Sequence, residues 1–220
     1  MRLSALCLLA VVACAQTPAT TEVKAGGIAL TLPAPAGNFA EVGDRLRTTF
    51  FELLAPSTNR VLTAYAPAGV VPSPAKPFDV YAMVQVSRQT EYVDCPPEGF
   101  AELKKGVDEA MANGAADKLE AFGEELNLRL KSLGAKPLTI GKPEMLGRVY
   151  DKKDSAGYLM LVAAKAGESS TTMATGIALL RVKQRALFAY FYRKYDSPDS
   201  VQAVRKSLEA WSDDILARNK

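Results

Sequence analysis

Residues 173–195 read MATGIALLRVKQRALFAYFYRKY, and this stretch decides the fold. Apolar and aromatic side chains alternate with small or polar ones on both sides of the short break Lys183-Gln184-Arg185. Alternation with a period of two is typical of β-strands, and a polar break between two such runs predicts an antiparallel hairpin. The break holds no Gly or Asn, the residues that adopt positive φ at least cost, so the type of turn stays open.

The final third of the chain extends this hairpin in both directions. Two further strand patterns, 145–150 and 158–164, precede it and are separated by polar turns, which predicts a four-stranded antiparallel meander. A helix follows, with Ser197 as its N-cap and Pro198 as its first helical residue. Its apolar residues recur at helical spacing on one face, which we expect to pack on the sheet: Val201, Val204, Leu208, Trp211 and Ile215.

The preceding part of the chain mixes strand and helix patterns. Strands are predicted at 28–32, 60–66 and 78–93, and helices from Asp44 to Pro56, at 97–113 and at 116–133. In the third strand, Phe78 and Val84 lie on the side expected to face a core, whereas Gln85 lies on the side expected to meet water. The sequence therefore predicts an α+β fold, with an antiparallel sheet flanked by helices, as a single domain over residues 27–220. Residues 16–26, which have no apolar period, are predicted to be a flexible tether.

The first fifteen residues have the composition of an export signal. Arg2 is followed by an apolar run from Leu3 to Ala13, and Ala13-Cys14-Ala15 matches a signal peptidase site. The run is too short for a transmembrane helix, so we expect a periplasmic or secreted protein without a transmembrane span. The residues Val11-Val12-Ala13-Cys14 also resemble a lipobox, so a possible lipoprotein, anchored in the envelope through lipidated Cys14, is the alternative.

The amino-acid composition excludes several kinds of catalytic and metal site. The chain has no histidine, which excludes Ser-His-Asp and Cys-His catalytic arrangements and the common zinc sites. Lys and Arg total 27 against 24 Asp and Glu, a balance that gives no support to nucleic-acid binding. Cys95 alone remains after the leader, so no internal disulfide is expected, and it fits a small half-buried residue or, alternatively, a reactive thiol. We expect no catalytic residue, no cofactor and no metal ligand.

One aromatic stretch is a candidate for binding. On a strand, Phe188, Tyr190 and Tyr192 share one face, and Arg181 and Arg193 lie nearby in sequence. Aromatic rings beside basic groups can stack on a ligand, so these five residues form the candidate ligand-binding set. The alternative is that the rings simply pack under a helix, since strands favour aromatic residues in any case.

The chain also resembles known exported domains. It opens with Gly27-Ile28-Ala29-Leu30-Thr31-Leu32-Pro33, continues with Gly37-Asn38-Phe39, and closes with an amphipathic helix that carries Trp211. In these features, over roughly residues 27–218, it is similar to Mog1/PsbP-like domains, including DcrB-like proteins, and to uncharacterised exported proteobacterial proteins. Its middle helices are longer than those of the small members. The resemblance implies a non-catalytic binding or assembly module, and it assigns no functional residue.

These observations lead to one expected function and two alternatives. We expect a non-enzymatic module of the bacterial cell envelope that binds a partner protein or a small ligand. A histidine-free envelope hydrolase or transferase is the alternative from another class, and an assembly factor anchored through Cys14 is the third. A pocket that gathers Lys, Tyr and carboxylate side chains would favour the enzyme, whereas an apolar or aromatic groove would favour binding.

Overall fold

A computed structural model describes residues 19–70, 78–112, 116–134 and 137–220. The predicted leader, residues 1–15, lies outside the described residues together with Cys14. In the described part of the chain, no helix is both long enough and apolar enough to cross a membrane.

The fold is built on a large antiparallel sheet. A separate two-stranded hairpin comes first, with β1 at Thr20–Ala25 and β2 at Ile28–Pro33. Within the described residues, the main sheet then has eight strands: β3 Phe39–Glu41, β4 Asn59–Pro67, β5 Val80–Ser87, β6 Leu138–Ile140, β7 Glu144–Asp151, β8 Ser155–Ala166, β9 Ser169–Val182 and β10 Arg185–Lys194. Their spatial order is β3-β4-β5-β10-β9-β8-β6, and β7 pairs with the first half of β8 while β6 pairs with its end.

The helices fall on the two sides of this sheet. A short helix, α1 (Asp44–Leu46), runs directly into a π-helical turn at Arg47–Phe51. The longer helices are α2 (Pro97–Ala112), α3 (Ala116–Ser132) and α4 (Pro198–Arg218). The α+β class, the antiparallel sheet and the closing helix packed on it confirm the fold predicted from the sequence.

The predicted meander is present as β7, β8, β9 and β10, each paired antiparallel with the next. The last hairpin closes through only two residues, since Val182 pairs with Arg185. Lys183 and Gln184 have φ of 45° and 62°, so the turn is of type I′ despite having no glycine. The right-handed twist of the two long strands favours this type of turn over the residues' own preferences.

Helix α4 packs on β8, β9 and β10 and covers one face of the sheet. Its predicted apolar face is buried, with Val204, Leu208 and Ile215 at 0% exposure and Trp211 at 2%. The Trp211 indole N–H donates a hydrogen bond to the Pro33 carbonyl at 2.7 Å, which ties α4 to the end of β2. Ser197 occupies the N-cap position with extended backbone, but its side chain makes no capping hydrogen bond, contrary to the expectation.

The tether predicted at residues 16–26 differs from the structure. From Thr20 onward these residues form β1, which pairs with β2 along its whole length. Gly26 and Gly27 make the turn, with φ of 53° and 80°. Leu30 and Leu32 of β2 are fully buried in the core shared with α4, so the hairpin belongs to the domain. Pairing with β2 stabilises β1 as a strand although most of its side chains are polar.

The helix predicted from Asp44 to Pro56 is also different. Gly43 takes the N-cap position in place of Asp44, and regular α-helix gives way to the π-helical turn after three residues. The hydroxyls of Thr48 and Thr49 donate to the Arg45 carbonyl at 3.1 and 2.7 Å. Such side-chain bonds compete with the regular ladder and bend a helix. The turn seats Phe51, which is fully buried, against β4 and β5.

Strand β5 is shorter than predicted and is covered on both faces. It ends at Ser87, and the chain then turns, leaving Tyr92 and Val93 76% and 57% exposed. Gln85, which was expected to meet water, is 1% exposed, and its neighbour on that face, Met83, is fully buried. The π-helical turn and α3 lie over this side, so alternation along β5 separates two cores and not a core from solvent.

Candidate ligand-binding cavity

A cavity of about 320 Å³ lies between the sheet and α3, on the face opposite α4. Its floor comes from four adjacent strands: Tyr81 and Gln85 of β5, Tyr190 and Tyr192 of β10, Met173, Thr175 and Ile177 of β9, and Met160, Val162 and Ala164 of β8. Its roof and sides come from Phe122 and Leu126 of α3, Leu138 and Ile140 of β6, and Leu54 and Pro56 after the π-helical turn. The lining is therefore almost wholly apolar or aromatic.

The roof is attached to both ends of the cavity by polar side chains. Asn127 of α3 donates to the Leu138 carbonyl at 2.9 Å and accepts from its N–H at 2.7 Å. Arg129 donates to the carbonyls of Glu52 and Ala55 at 3.1 and 2.9 Å. These bonds hold α3 over the strands while leaving the space beneath it open.

Three tyrosines form one wall of the cavity. Tyr81 lies directly across from Tyr192 in the register of β5 and β10, and their rings stack with centroids 4.4 Å apart at 18°. Tyr190, two residues earlier on the same strand, lies parallel to Tyr192 at 6.1 Å and 10°. Strand register thus places three nearly parallel rings side by side, and we call them the tyrosine ladder.

The tyrosine ladder is uncharged at physiological pH. Burial raises the pKa of Tyr190 to about 12. Burial also raises the pKa of Tyr81, and it raises that of Tyr192 together with the adjacent phenols of Tyr81 and Tyr190. All three hydroxyls therefore keep their protons, so the wall offers neutral aromatic faces and hydroxyl donors.

Two buried polar side chains lie in the floor. Thr175 is 2% exposed, and its hydroxyl has no hydrogen-bond partner among the described residues. Gln85 accepts from Asn59 at 2.8 Å, but its own amide nitrogen donates to the sulfur of Met83 at 3.2 Å. Sulfur is a weak acceptor, so both side chains retain hydrogen-bonding capacity next to the cavity.

The structure separates the five candidate ligand-binding residues. Tyr190 and Tyr192 line the cavity, but Phe188 packs under α2 in a separate core. Arg181 donates to Asp154 at 2.7 Å, at the far end of β9. Arg193 is exposed and, by strand alternation, points to the opposite face from Tyr192. Of the five residues, only Tyr190 and Tyr192 therefore lie at the cavity, and the two arginines lie away from it.

Sequence reasoning missed Tyr81 and Thr175. Tyr81 lies on the same face of the strand as Met83 and Gln85. A tyrosine and a methionine on the face expected to meet water indicated that this face is buried. Thr175 shares a face of β9 with Met173 and Ile177, and this pattern does not indicate a cavity. Only the pairing of Thr175 with Tyr192 across β9 and β10 places it beside the tyrosine ladder.

A second cavity, of about 600 Å³, is lined by Lys24, Gly27, Arg60, Arg88, Glu91 and Tyr92. Its two arginines and its carboxylate already have partners. Arg60 forms an ion pair with Glu91 and donates to the Lys24 carbonyl at 2.8 Å. Arg88 donates to the carbonyls of Ser57 and Asn59 at 3.2 and 3.0 Å. These contacts join β1, β4 and the loop after β5, so the arginines stabilise the fold here.

Cys95 is half-buried against the core under α2, as expected, but it lies just before that helix and not at the end of β5, which stops at Ser87. Burial raises the pKa of its thiol, which disfavours the thiolate that a nucleophile or a metal ligand requires. Within the ranges that the structure covers, no group of three or more His, Cys, Asp or Glu side chains could hold a metal ion.

Comparison with known proteins gives a limited result. No family model matches the chain, and none of the curated proteins does. Among solved structures, it is similar to a point mutant of the protein Mog1, with 15% sequence identity over 91% of this chain and 93% of that one. The TM-score is 0.35, so the resemblance to Mog1 is a weak one of fold, and it carries no functional argument.

Proposed function

We propose that the protein is an exported, non-enzymatic binding module of the bacterial cell envelope, and that it holds a small ligand in the cavity under α3. The observation that carries the proposal is the composition of the cavity wall. Its described lining residues are apolar or aromatic, apart from Gln85 and Thr175, and include no Lys, Arg, Asp or Glu. Such a wall, with a few polar groups, is typical of sites that bind small molecules.

The same wall argues for binding over catalysis. General acid–base catalysis depends on a group whose pKa lies near the working pH. The titratable groups on the described lining are the three tyrosines, whose pKa values burial has moved further from neutrality. The lining therefore favours a ligand that is held without being transformed.

Export is supported by the sequence of the leader. Residues 1–15 have the charged start, apolar run and small-residue cleavage site of a signal peptide. The mass of protein purified from envelopes tests the two maturation routes: a chain starting at Gln16 supports the soluble product, and a lipidated Cys14 supports the anchored one.

Native mass spectrometry of the protein purified from its own cell envelope tests ligand binding. The wild type should carry an additional small-molecule mass that denaturation releases. Ala164→Phe should abolish it, because Ala164 lines the cavity and the larger ring would fill it. Ala163→Phe is the matched control, since Ala163 is exposed on the other side of the same strand.

Two results would contradict the proposal. One is retention of the same small molecule by Ala164→Phe and by the wild type, which would place the ligand elsewhere. The other is a wild type that carries no ligand and converts members of a substrate panel, which would favour the hydrolase or transferase alternative.

A further inference from the structure

We infer that the ligand of this cavity is a flat aromatic molecule with one hydrogen-bonding group, such as a hydroxyl or a carbonyl. This inference rests on the proposed function and specifies the class of ligand. Three features of the cavity support it: the tyrosine ladder, the unpartnered hydroxyl of Thr175 within the described residues, and the volume of the cavity.

The tyrosine ladder favours a flat ring system. In each stacked pair the two ring planes lie within 18° of parallel, so a flat ligand can align with all three rings at once. Aromatic molecules gain from stacked or edge contacts with such rings beyond the gain from burial alone. A saturated chain or ring of the same size would gain only from burial.

Methionines complete the aromatic character of the site. Met160 of β8 lies across from Thr175 in the strand register, and Met173 lies on the same face two residues before it. Thioether sulfur makes favourable contacts with the edges of aromatic rings, and the unbranched side chain adapts to the shape of a ligand. The strands beside the tyrosine ladder therefore also favour an aromatic occupant.

Thr175 supplies the polar contact. Its hydroxyl is buried without a partner among the residues described, which leaves an unsatisfied group in an apolar setting. Thr175 lines the cavity, so this hydroxyl lies next to the space that the ligand would occupy. A ligand with one donor or acceptor at its edge would satisfy Thr175, whereas a pure hydrocarbon would leave it unpaired.

The volume sets the scale of the ligand. A dry apolar cavity of roughly 150 Å³ accommodates a benzene ring. The cavity here, about 320 Å³, is about twice as large and so has room for two fused rings. Naphthol, which has two aromatic rings and one hydroxyl, is therefore the probe that matches the site.

Calorimetric titration of the unmodified protein with four probes tests the inference. Naphthol should bind roughly fivefold more tightly than naphthalene, which lacks the hydroxyl, and than decalol, its saturated counterpart. Decanoate represents an acyl chain and should bind more weakly than naphthol. Equal affinities for naphthol, naphthalene and decalol, or a preference for decanoate, would overturn the inference and leave the proposed function standing. Binding of none of the four would count against both.

Two variants and their controls assign the contacts. Thr175→Val keeps the shape of the side chain and should reduce naphthol affinity roughly fivefold without changing that of naphthalene. Ser155→Ala is the control, because Ser155 is also buried with an unpartnered hydroxyl within the described residues but does not line the cavity. An equal loss in the two variants would overturn the role of Thr175.

Tyr190→Leu should remove the preference for naphthol over decalol, and Tyr190→Phe should keep it, because the ring is retained. Phe188→Leu is the matched control, since Phe188 lies on the same face of β10 but packs under α2. Loss of the preference in the Phe188 variant as well, with both variants folded by circular dichroism, would overturn the role of the tyrosine ladder.

Discussion

Replacement of Gly157 by alanine tests how Tyr150 is held at the edge of the core. The two residues are paired across β7 and β8, and the ring of Tyr150 lies over the α-carbon of Gly157. A Cβ at Gly157 would lie 2.6 Å from Cζ and 2.7 Å from Cδ1 of that ring, closer than atoms can approach. The backbone of Gly157 does not need positive φ, so the effect of the substitution is one of space alone.

The displaced ring would lose two contributions to stability. The Tyr150 hydroxyl is 2.7 Å from the Ser212 hydroxyl on α4, and loss of that hydrogen bond costs about 1 kcal/mol. Exposure of about half of a tyrosine's contact area costs about 2 kcal/mol more. The lower backbone entropy of alanine in the unfolded chain offsets about 0.5–1 kcal/mol. The net expectation is a loss of about 2 kcal/mol, or about 4–8 °C in melting temperature.

Urea unfolding followed by circular dichroism measures this loss, and a double-mutant cycle isolates its cause. In a Tyr150→Ala background, Gly157→Ala should cost nothing or slightly stabilise, because the ring is no longer there. We therefore expect a coupling energy of about 2–3 kcal/mol between the two positions. A cost below about 0.5 kcal/mol for Gly157→Ala alone, or the same cost in both backgrounds, would refute the steric explanation.

Three further predictions concern the hairpins and the ion pair beside β1. Gly26→Ala should destabilise far more than Gly27→Ala, because both have positive φ but only at Gly26 would a Cβ overlap the Glu91 carbonyl; equal urea midpoints would contradict this. The hydrogen bond from Arg60 lowers the pKa of Glu91 in the folded state, so the stability that this carboxylate contributes is present above about pH 5 and is lost as the pH falls through the lowered pKa. Glu91→Gln should therefore be less stable than the wild type at pH 7, with the difference shrinking in urea titrations at acid pH, and a difference independent of pH would exclude the charge as its source. Gln184→Gly should stabilise by about 0.5–1 kcal/mol in the same assay, since glycine adopts the φ of 62° without strain, and any loss of stability would show that this turn is not strained.

Local sequence was enough to predict much of the sheet and the closing helix. The alternation in 173–195 predicted β9 and β10, and the apolar spacing from Val201 to Ile215 predicted the buried face of α4. Both signals work because the period of a strand and that of a helix each place regularly spaced apolar residues on one face of the element. The hairpin of β1 and β2 also had a turn signal, Gly26-Gly27, but the mostly polar residues of β1 have no apolar alternation that would indicate a strand.

The cavity was only partly predictable. That Tyr190 and Tyr192 share a face follows from strand geometry, and in the structure both line the cavity. Phe188 shares that face by the same rule, yet α2 covers this end of β10 and removes it from the site. The remaining lining comes from elements far apart in the chain, so its composition depends on strand order and on where α3 crosses, which no local pattern encodes.

The chain contains a single tryptophan, and the structure buries it between α4 and the sheet. Its fluorescence is therefore a built-in optical reporter on the face away from the proposed ligand. An emission shift on heating or in denaturant would record the release of the last helix, free of signal from any other indole. Titration with a non-quenching ligand should leave this emission nearly unchanged, which separates occupancy of one side of the sheet from unfolding of the other.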